Sequence, residues 1–152
     1  MIFKKILCPL GHEQNTREAL TAAVQAARES RGALYLMHVL PFPTHLIYGA
    51  GLVLRTDIAN AEAGLQKLAA EVPAGIERAV IVTFGDAPRE IAAAARRIGA
   101  NLIVMGTDGR GAMSRFFRGN IAERVLKTAP CPVLTIPADA AEEASDAHCE
   151  AA

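Results

Sequence analysis

Residues 85–111 read GDAPREIAAAARRIGANLIVMGTDGRG. The stretch divides itself by composition. Pro88 suits the first turn of a helix, where a missing N–H has no intrahelical partner to lose. Asp86 or Ala87 falls at the N-cap, and Gly99 supplies the residue type that ends a helix in a left-handed conformation. The run NLIVMG at 101–106 is apolar without alternation, as expected of a strand buried on both faces. Glycines follow at once. Helix, doubly buried strand and glycine-rich turn in direct succession point to an α/β protein.

Working outward, the same alternation runs both ways. Toward the N-terminus lie RAVIVTF (78–84), read as a strand, and a helix from about Leu54 to Val72 with Leu54, Ile58, Ala61, Leu65 and Leu68 on one stripe. LPFPTHLIYGAG (40–51) reads as a loop because of its Pro and Gly, and GALYLMHV (32–39) as a strand. A helix from about Gln14 to Ser30 puts Ala19, Leu20, Ala23, Val24 and Ala27 on one face, and FKKILCPL (3–10) is the first strand. Toward the C-terminus, NIAERVLKTA (120–129) is a helix with Ile121, Val125 and Ala129 on one side, and CPVLTI (131–136) is a fifth strand. The order is β-α-β-α-β-α-β-α-β. Right-handed crossovers make a three-layer, doubly wound parallel sheet the expected fold. Residues 1–137 are expected to form one domain, and the small, acidic ADAAEEASDAHCEAA (138–152) a disordered tail.

The bulk numbers narrow the function. With 152 residues the chain suits one domain with a sizeable core. Its formal net charge is zero, so no basic field is present to hold nucleic acid by counterion release. No apolar run approaches the roughly 20 residues that span a bilayer. The opening MIFKKILCPL is too short in its apolar part for a secretory signal, so a cytoplasmic protein is expected. Cys8, Cys131 and Cys149 show no metal-binding spacing. Cys8 and Cys131 read as small buried hydrophobes, with redox sensing as the other reading, and Cys149 falls in the tail.

In doubly wound sheets ligands bind beyond the carboxyl ends of the strands, where strand order reverses. The loops after strands one and four therefore matter most. The second is MGTDGRGAMSRFFRGN (105–120), with the spacing Gly106-x2-Gly109-x9-Gly119-Asn120. Gly106 and Gly109 let backbone approach a ligand closely. Gly119 and Asn120 open a helix whose first N–H groups and dipole attract an anion. Arg110, Arg115 and Arg118 can add charge-assisted contacts. The stretch has neither the Lys-Ser/Thr of a P-loop nor a GxGxxG fingerprint. The alternative is a surface loop with solvated arginines and with Phe116 and Phe117 packed on the sheet.

Gly-x2-Gly-x9-Gly followed by Ser or Thr is the ATP-loop pattern of the universal stress protein family, which this chain resembles to about Ile136. KKILCPL, LMHV, GDAPREIAAAARRIGANLIVMGTDGRG and GNIAERVLKTAPCPVLTIP agree with that family in order and spacing. The resemblance implies an adenine nucleotide alpha hydrolase-like fold with strand order 3-2-1-4-5. It also implies a homodimer through the last strand, Pro132–Ile136, and ATP or another adenine nucleotide as ligand, with or without Mg2+. By position, Val39 would lie near the adenine, Pro9 and Leu10 would border base and ribose, Met105 and Gly106 would meet the ribose, and Gly109, Gly119 and Asn120 the phosphates. An edge strand as apolar as the last also argues for pairing on physical grounds alone.

Three positions depart from the pattern. Gly11 stands where nucleotide binders of the family carry Asp, and Glu13 stands at a Ser position. Asn120 replaces the final Ser or Thr; it caps a helix but brings no hydroxyl. Asp108 lies inside the loop, either facing solvent or holding Mg2+ against the phosphates. His38 and His12 are expected at the crevice mouth without enough companions, His45 included, for a metal site. No nucleophile with a base is evident, so any ATP hydrolysis would be slow. Charges in AAAARRIG and NIAERVLK, Arg124 and Lys127 among them, read as solvated helix faces. The leading expectation is a dimeric nucleotide-binding stress protein. The alternative is a nucleotide-free interaction module of the same fold, acting through its dimer surface or the 41–51 loop.

Overall fold

The computed structural model describes residues 2–11, 16–41, 50–107 and 121–137, with backbone alone for 50–54. Five strands, β1 (Lys5–Pro9), β2 (Ala33–Leu40), β3 (Arg78–Phe84), β4 (Leu102–Thr107) and β5 (Val133–Pro137), form one sheet in the order β3-β2-β1-β4-β5. Every pairing is parallel. Four helices alternate with them: α1 (Thr16–Ser30), α2 (Ala50–Glu71), α3 (Ala87–Ile98) and α4 (Ile121–Thr128). The expected three-layer, doubly wound sheet with order 3-2-1-4-5 is the observed fold.

The layers follow from strand geometry, because successive side chains point to opposite faces. Ile6, Cys8, Leu34, Leu36, Leu102 and Val104 meet α1 and α2. Leu7, Met37, Ile103 and Met105 face the other way and meet α3 and α4. Both faces are covered, so the strands need apolar residues at every position, and that is the sequence signal that was read. Burying each Leu or Ile contributes about 1.5–3 kcal/mol.

The helices hold two corrections. α2 starts at Ala50, four residues before the expected Leu54 and inside the stretch read as loop. The glycines of 49–51 suggested a turn, yet a helix tolerates Gly51 in its first turn. Burial along α2 concentrates on Leu65 and Ala69, with Val72 buried just past its end, whereas Ile58, Ala61 and Leu68 are half-buried. The reason is length. Twenty-two residues of helix span about 33 Å and the seven of β3 about 23 Å, so the first turns of α2 outrun the sheet. α3 follows its punctuation: Asp86 is the N-cap in extended conformation, and Gly99 closes the helix at φ 68°, ψ 41°.

Each helix also ends against a cation from elsewhere in the chain. Lys4 Nζ donates to the Ser30 carbonyl at the end of α1, and Lys5 Nζ to that of Ile98 at the end of α3. Arg78 donates to the carbonyls of Val72 and Pro73 just beyond α2, and Arg96 to that of Thr128 closing α4. A positive group there satisfies carbonyls that lack intrahelical donors and offsets the negative end of the dipole. Arg96 is therefore not simply solvated, and neither is Arg124, whose two guanidinium nitrogens donate to the Asp86 carboxylate at 3.1 and 2.7 Å.

Candidate functional site

β1 and β4 are neighbours at the point where the strand order reverses. Their pairing covers Ile6 with Leu102 and Leu7 with Ile103. β1 continues to Pro9 and β4 to Thr107 beyond that pairing. The β1–β2 register, by contrast, holds through Pro9 opposite Met37. The sheet thus opens a crevice between the ends of β1 and β4, the place where such folds take ligands.

The exit of β1 is held to the β2 side. The Leu10 N–H donates to the Met37 carbonyl at 2.7 Å. His38 Nδ1 lies 2.7 Å from the Leu10 carbonyl. A carbonyl only accepts, so Nδ1 donates this bond. Thr16 Oγ1, at the start of α1, donates to the Gly11 carbonyl at 3.2 Å. These three bonds fix the backbone of Leu10 and Gly11 along one wall of the crevice.

Of the residues singled out in the sequence, Pro9, Leu10, Val39, Met105 and Gly106 are all at the carboxyl edge of the sheet. Leu10 is 5% exposed and joins the α1–α2 core, and Met105 is 5% exposed and joins the α3–α4 core. Their side chains are thus packed into the two cores. Gly106, opposite Ile136 of β5, is half-buried. Val39 pairs in register with Thr83, whose hydroxyl is buried and has no hydrogen-bond partner among the described residues. Sequence reasoning missed Thr83, since a lone Thr in a β-rich run carries no functional signal. Gly109, Arg110, Gly119 and Asn120 lie outside the described residues. So do His12, Glu13, His45, Asp108, Arg115, Phe116, Phe117, Arg118, Cys149 and the 138–152 tail.

The remaining chemistry is sparse. The Cys8 thiol is fully buried, and desolvation pushes its pKa from 9.0 up to about 12. It is inert at neutral pH. Cys131, expected to be buried, is only partly so, because it lies in the turn before the edge strand β5; burial raises its pKa too. Neither carries the lowered pKa of a reactive thiol. Among the described residues no group of three His, Cys, Asp or Glu side chains could hold a metal ion, and no helix is long and apolar enough to cross a membrane.

Residues 2–137 match the sequence profile of the universal stress protein family. A universal stress protein of Methanocaldococcus jannaschii is 32% identical over 142 residues, covering 89% of this chain and 82% of the relative. A universal stress protein solved in complex with cAMP shares the fold with a TM-score of 0.70 at 16% identity, over 91% of this chain and 99% of the other. An Archaeoglobus fulgidus universal stress protein in complex with dAMP gives 0.59 at 22% identity, over 90% and 99%. With the sheet order, the opened β1–β4 edge and this match in hand, the chain belongs to the universal stress protein family.

Proposed function

We propose that this protein binds ATP or a related adenine nucleotide as a regulatory ligand in a stress response, in the cytoplasm and as a homodimer. The observation that carries the reading is the parting of β1 and β4 after Leu7 and Ile103, with Gly106 at the mouth and the Gly106-x2-Gly109-x9-Gly119 spacing running on from it. Structural relatives with the same sheet hold cAMP or dAMP. Pro9, Leu10, Val39, Met105 and Gly106 would border the nucleoside through backbone atoms. Gly109, Arg110, Gly119 and Asn120 would meet the phosphates, with or without Mg2+. Any hydrolysis of the ligand would be slow.

Dimerisation through Pro132–Ile136 is supported by β5 being an edge strand with Leu134 43% exposed. One observation favours the other reading, a nucleotide-free interaction module: Gly11 leaves the end of β1 without a carboxylate. Calorimetry with ATP, AMP and cyclic AMP, with and without Mg2+, on wild type and Gly109→Asp decides between them. Micromolar ATP binding lost in the variant is the expected result. No heat and no thermal shift at millimolar nucleotide would sink the nucleotide reading and leave the interaction module.

A further inference from the structure

At the amino edge of the sheet the start of β1, the end of α1 and the turn from α2 into β3 enclose a cavity of about 600 Å³. It is larger than the groove of about 380 Å³ between α2 and the carboxyl ends of β1 and β2. Lys4, Lys5, Arg28 and Arg31 line it, and Glu77 is the one acid among its described lining residues. None of the four cations forms an ion pair with a described residue. Such an excess of one sign, in a chain whose net charge is zero, draws an anion to the cavity.

The backbone adds a second observation. At the end of α1 the Gly32 N–H donates to the Ala27 carbonyl at 2.9 Å, and the Arg31 N–H to that of Arg28 at 3.4 Å. α3 ends in the same motif, with Ala100 bonded to Ala95 at 2.8 Å and Gly99 to Arg96 at 3.2 Å. The motif needs a left-handed residue at one position, and α3 fills it with Gly99 at φ 68°. α1 fills it with Arg31 at φ 50°, the only non-glycine residue of positive φ among the described residues. A Cβ in that conformation is strained. Helix capping does not require the charge of Arg31. Lys4 Nζ already donates to the Ser30 carbonyl, and Arg28 lies in the last turn of α1. Strain kept where glycine would fit points to a task other than folding.

We propose that this cavity binds a compact oligophosphate anion, gripped by Arg28 and Arg31 and neutralised further by Lys4 and Lys5. A guanidinium presents paired donors that match two oxygens of one phosphate group. Lys4 and Lys5 each use one ammonium donor on a helix carbonyl, at 3.3 and 3.0 Å, and keep their other donors and their charge. The carbonyl end of α1 would repel an anion, but Gly32, Arg31 and Lys4 already donate to carbonyls of its last turn. Linked phosphate groups concentrate several negative charges in a small volume, which is what several unpaired cations around one cavity select.

Calorimetric titration with inorganic tripolyphosphate at low ionic strength tests this on wild type, Arg31→Gly, Arg28→Gln and Gly109→Asp. Wild type should bind, and more weakly as salt is added. Arg31→Gly places the favoured residue at a left-handed position, so its melting temperature should equal or exceed that of wild type. Its affinity for tripolyphosphate should nonetheless fall by about tenfold or more. Arg28→Gln keeps a good helix former in α1 and should lose a similar factor. Gly109→Asp should leave the affinity unchanged, since this cavity lies at the opposite edge of the sheet from the end of β4. Wild-type affinity in both arginine variants, or no binding to wild type, overturns the assignment. Loss confined to Gly109→Asp also overturns it and moves the anion to the glycine loop.

Discussion

The two ends of this sheet use the same kinds of residue differently. At the amino edge the polar groups are paired with the fold itself. Lys4, Lys5, Arg78 and Arg96 close the carbonyl ends of four helices. Asn101 exchanges two bonds with the backbone of Lys5, accepting at 3.0 Å and donating at 2.9 Å. A cavity of about 600 Å³ lies there, larger than the α2 groove, and is lined by Lys4, Lys5, Arg28 and Arg31. Its size does not make it the proposed nucleotide site, because it lies at the opposite edge. At the carboxyl edge the pairing of β1 with β4 stops short, Thr83 keeps a hydroxyl with no partner among the described residues, and Asp57 and Asn60 face a groove. Cations finish the amino edge, and open backbone marks the carboxyl edge.

The largest expected effect breaks the amino edge. Gly32 follows α1, and a Cβ there would overlap the Phe3 carbonyl oxygen and crowd Lys4 backbone. Backbone cannot swing aside as a side chain can, so Gly32→Val should lower unfolding free energy by about 3 kcal/mol in urea titration. A loss below about 1 kcal/mol would mean the edge is less tightly built than it looks.

Next comes the sealed middle of β1. Folding raises the Cys8 pKa from 9.0 to about 12. Below pH 9 both folded and unfolded chains keep the proton, and no stability depends on it. Between 9.0 and about 12 the unfolded chain releases a proton that the native chain retains, so stability falls as pH rises. The slope from this group approaches about 1.4 kcal/mol per pH unit. Denaturation midpoints measured from pH 8 to 11 should fall less steeply in Cys8→Ala than in wild type, and equal slopes would refute the assignment.

Two substitutions of similar size should have opposite signs. Lys5→Met removes the donor to Ile98 and should cost about 1 kcal/mol. Thr83→Val removes a buried hydroxyl that has no partner among the described residues and should raise stability by about 1 kcal/mol. A loss in Thr83→Val would show that the hydroxyl is satisfied in solution and that the contrast between the edges is overstated. The smallest effect belongs to the Arg124–Asp86 pair, whose side chains are 49% and 41% exposed. A double-mutant cycle should return a coupling of about 0.2–1 kcal/mol that shrinks with added salt.

Much of this architecture was legible because it is local or periodic. Asp86, Pro88 and Gly99 bounded α3, and continuous apolar runs marked the strands. The start of α2 was not legible, since the glycines of 49–51 signal a turn whenever nothing is known of what lies beside them. The strand order came from family resemblance, because crossover handedness alone permits several doubly wound sheets. The described part of the site was legible as positions on the carboxyl edge, but their roles were not: Leu10 and Met105 turn their side chains into opposite cores.

By itself, then, the sequence determined the alternation of elements and their buried faces, since each follows from spacing within a few residues. Only the tertiary structure decided which charges are spent and which are available. Arg124 and Asp86 are 38 residues apart, and Arg96 and Thr128 are 32 apart. No local pattern encodes such pairs. They exist because α3 and α4 pack side by side on one face of the sheet. In the same way Asp57 faces the end of β1 only because α2 is longer than the strands it covers.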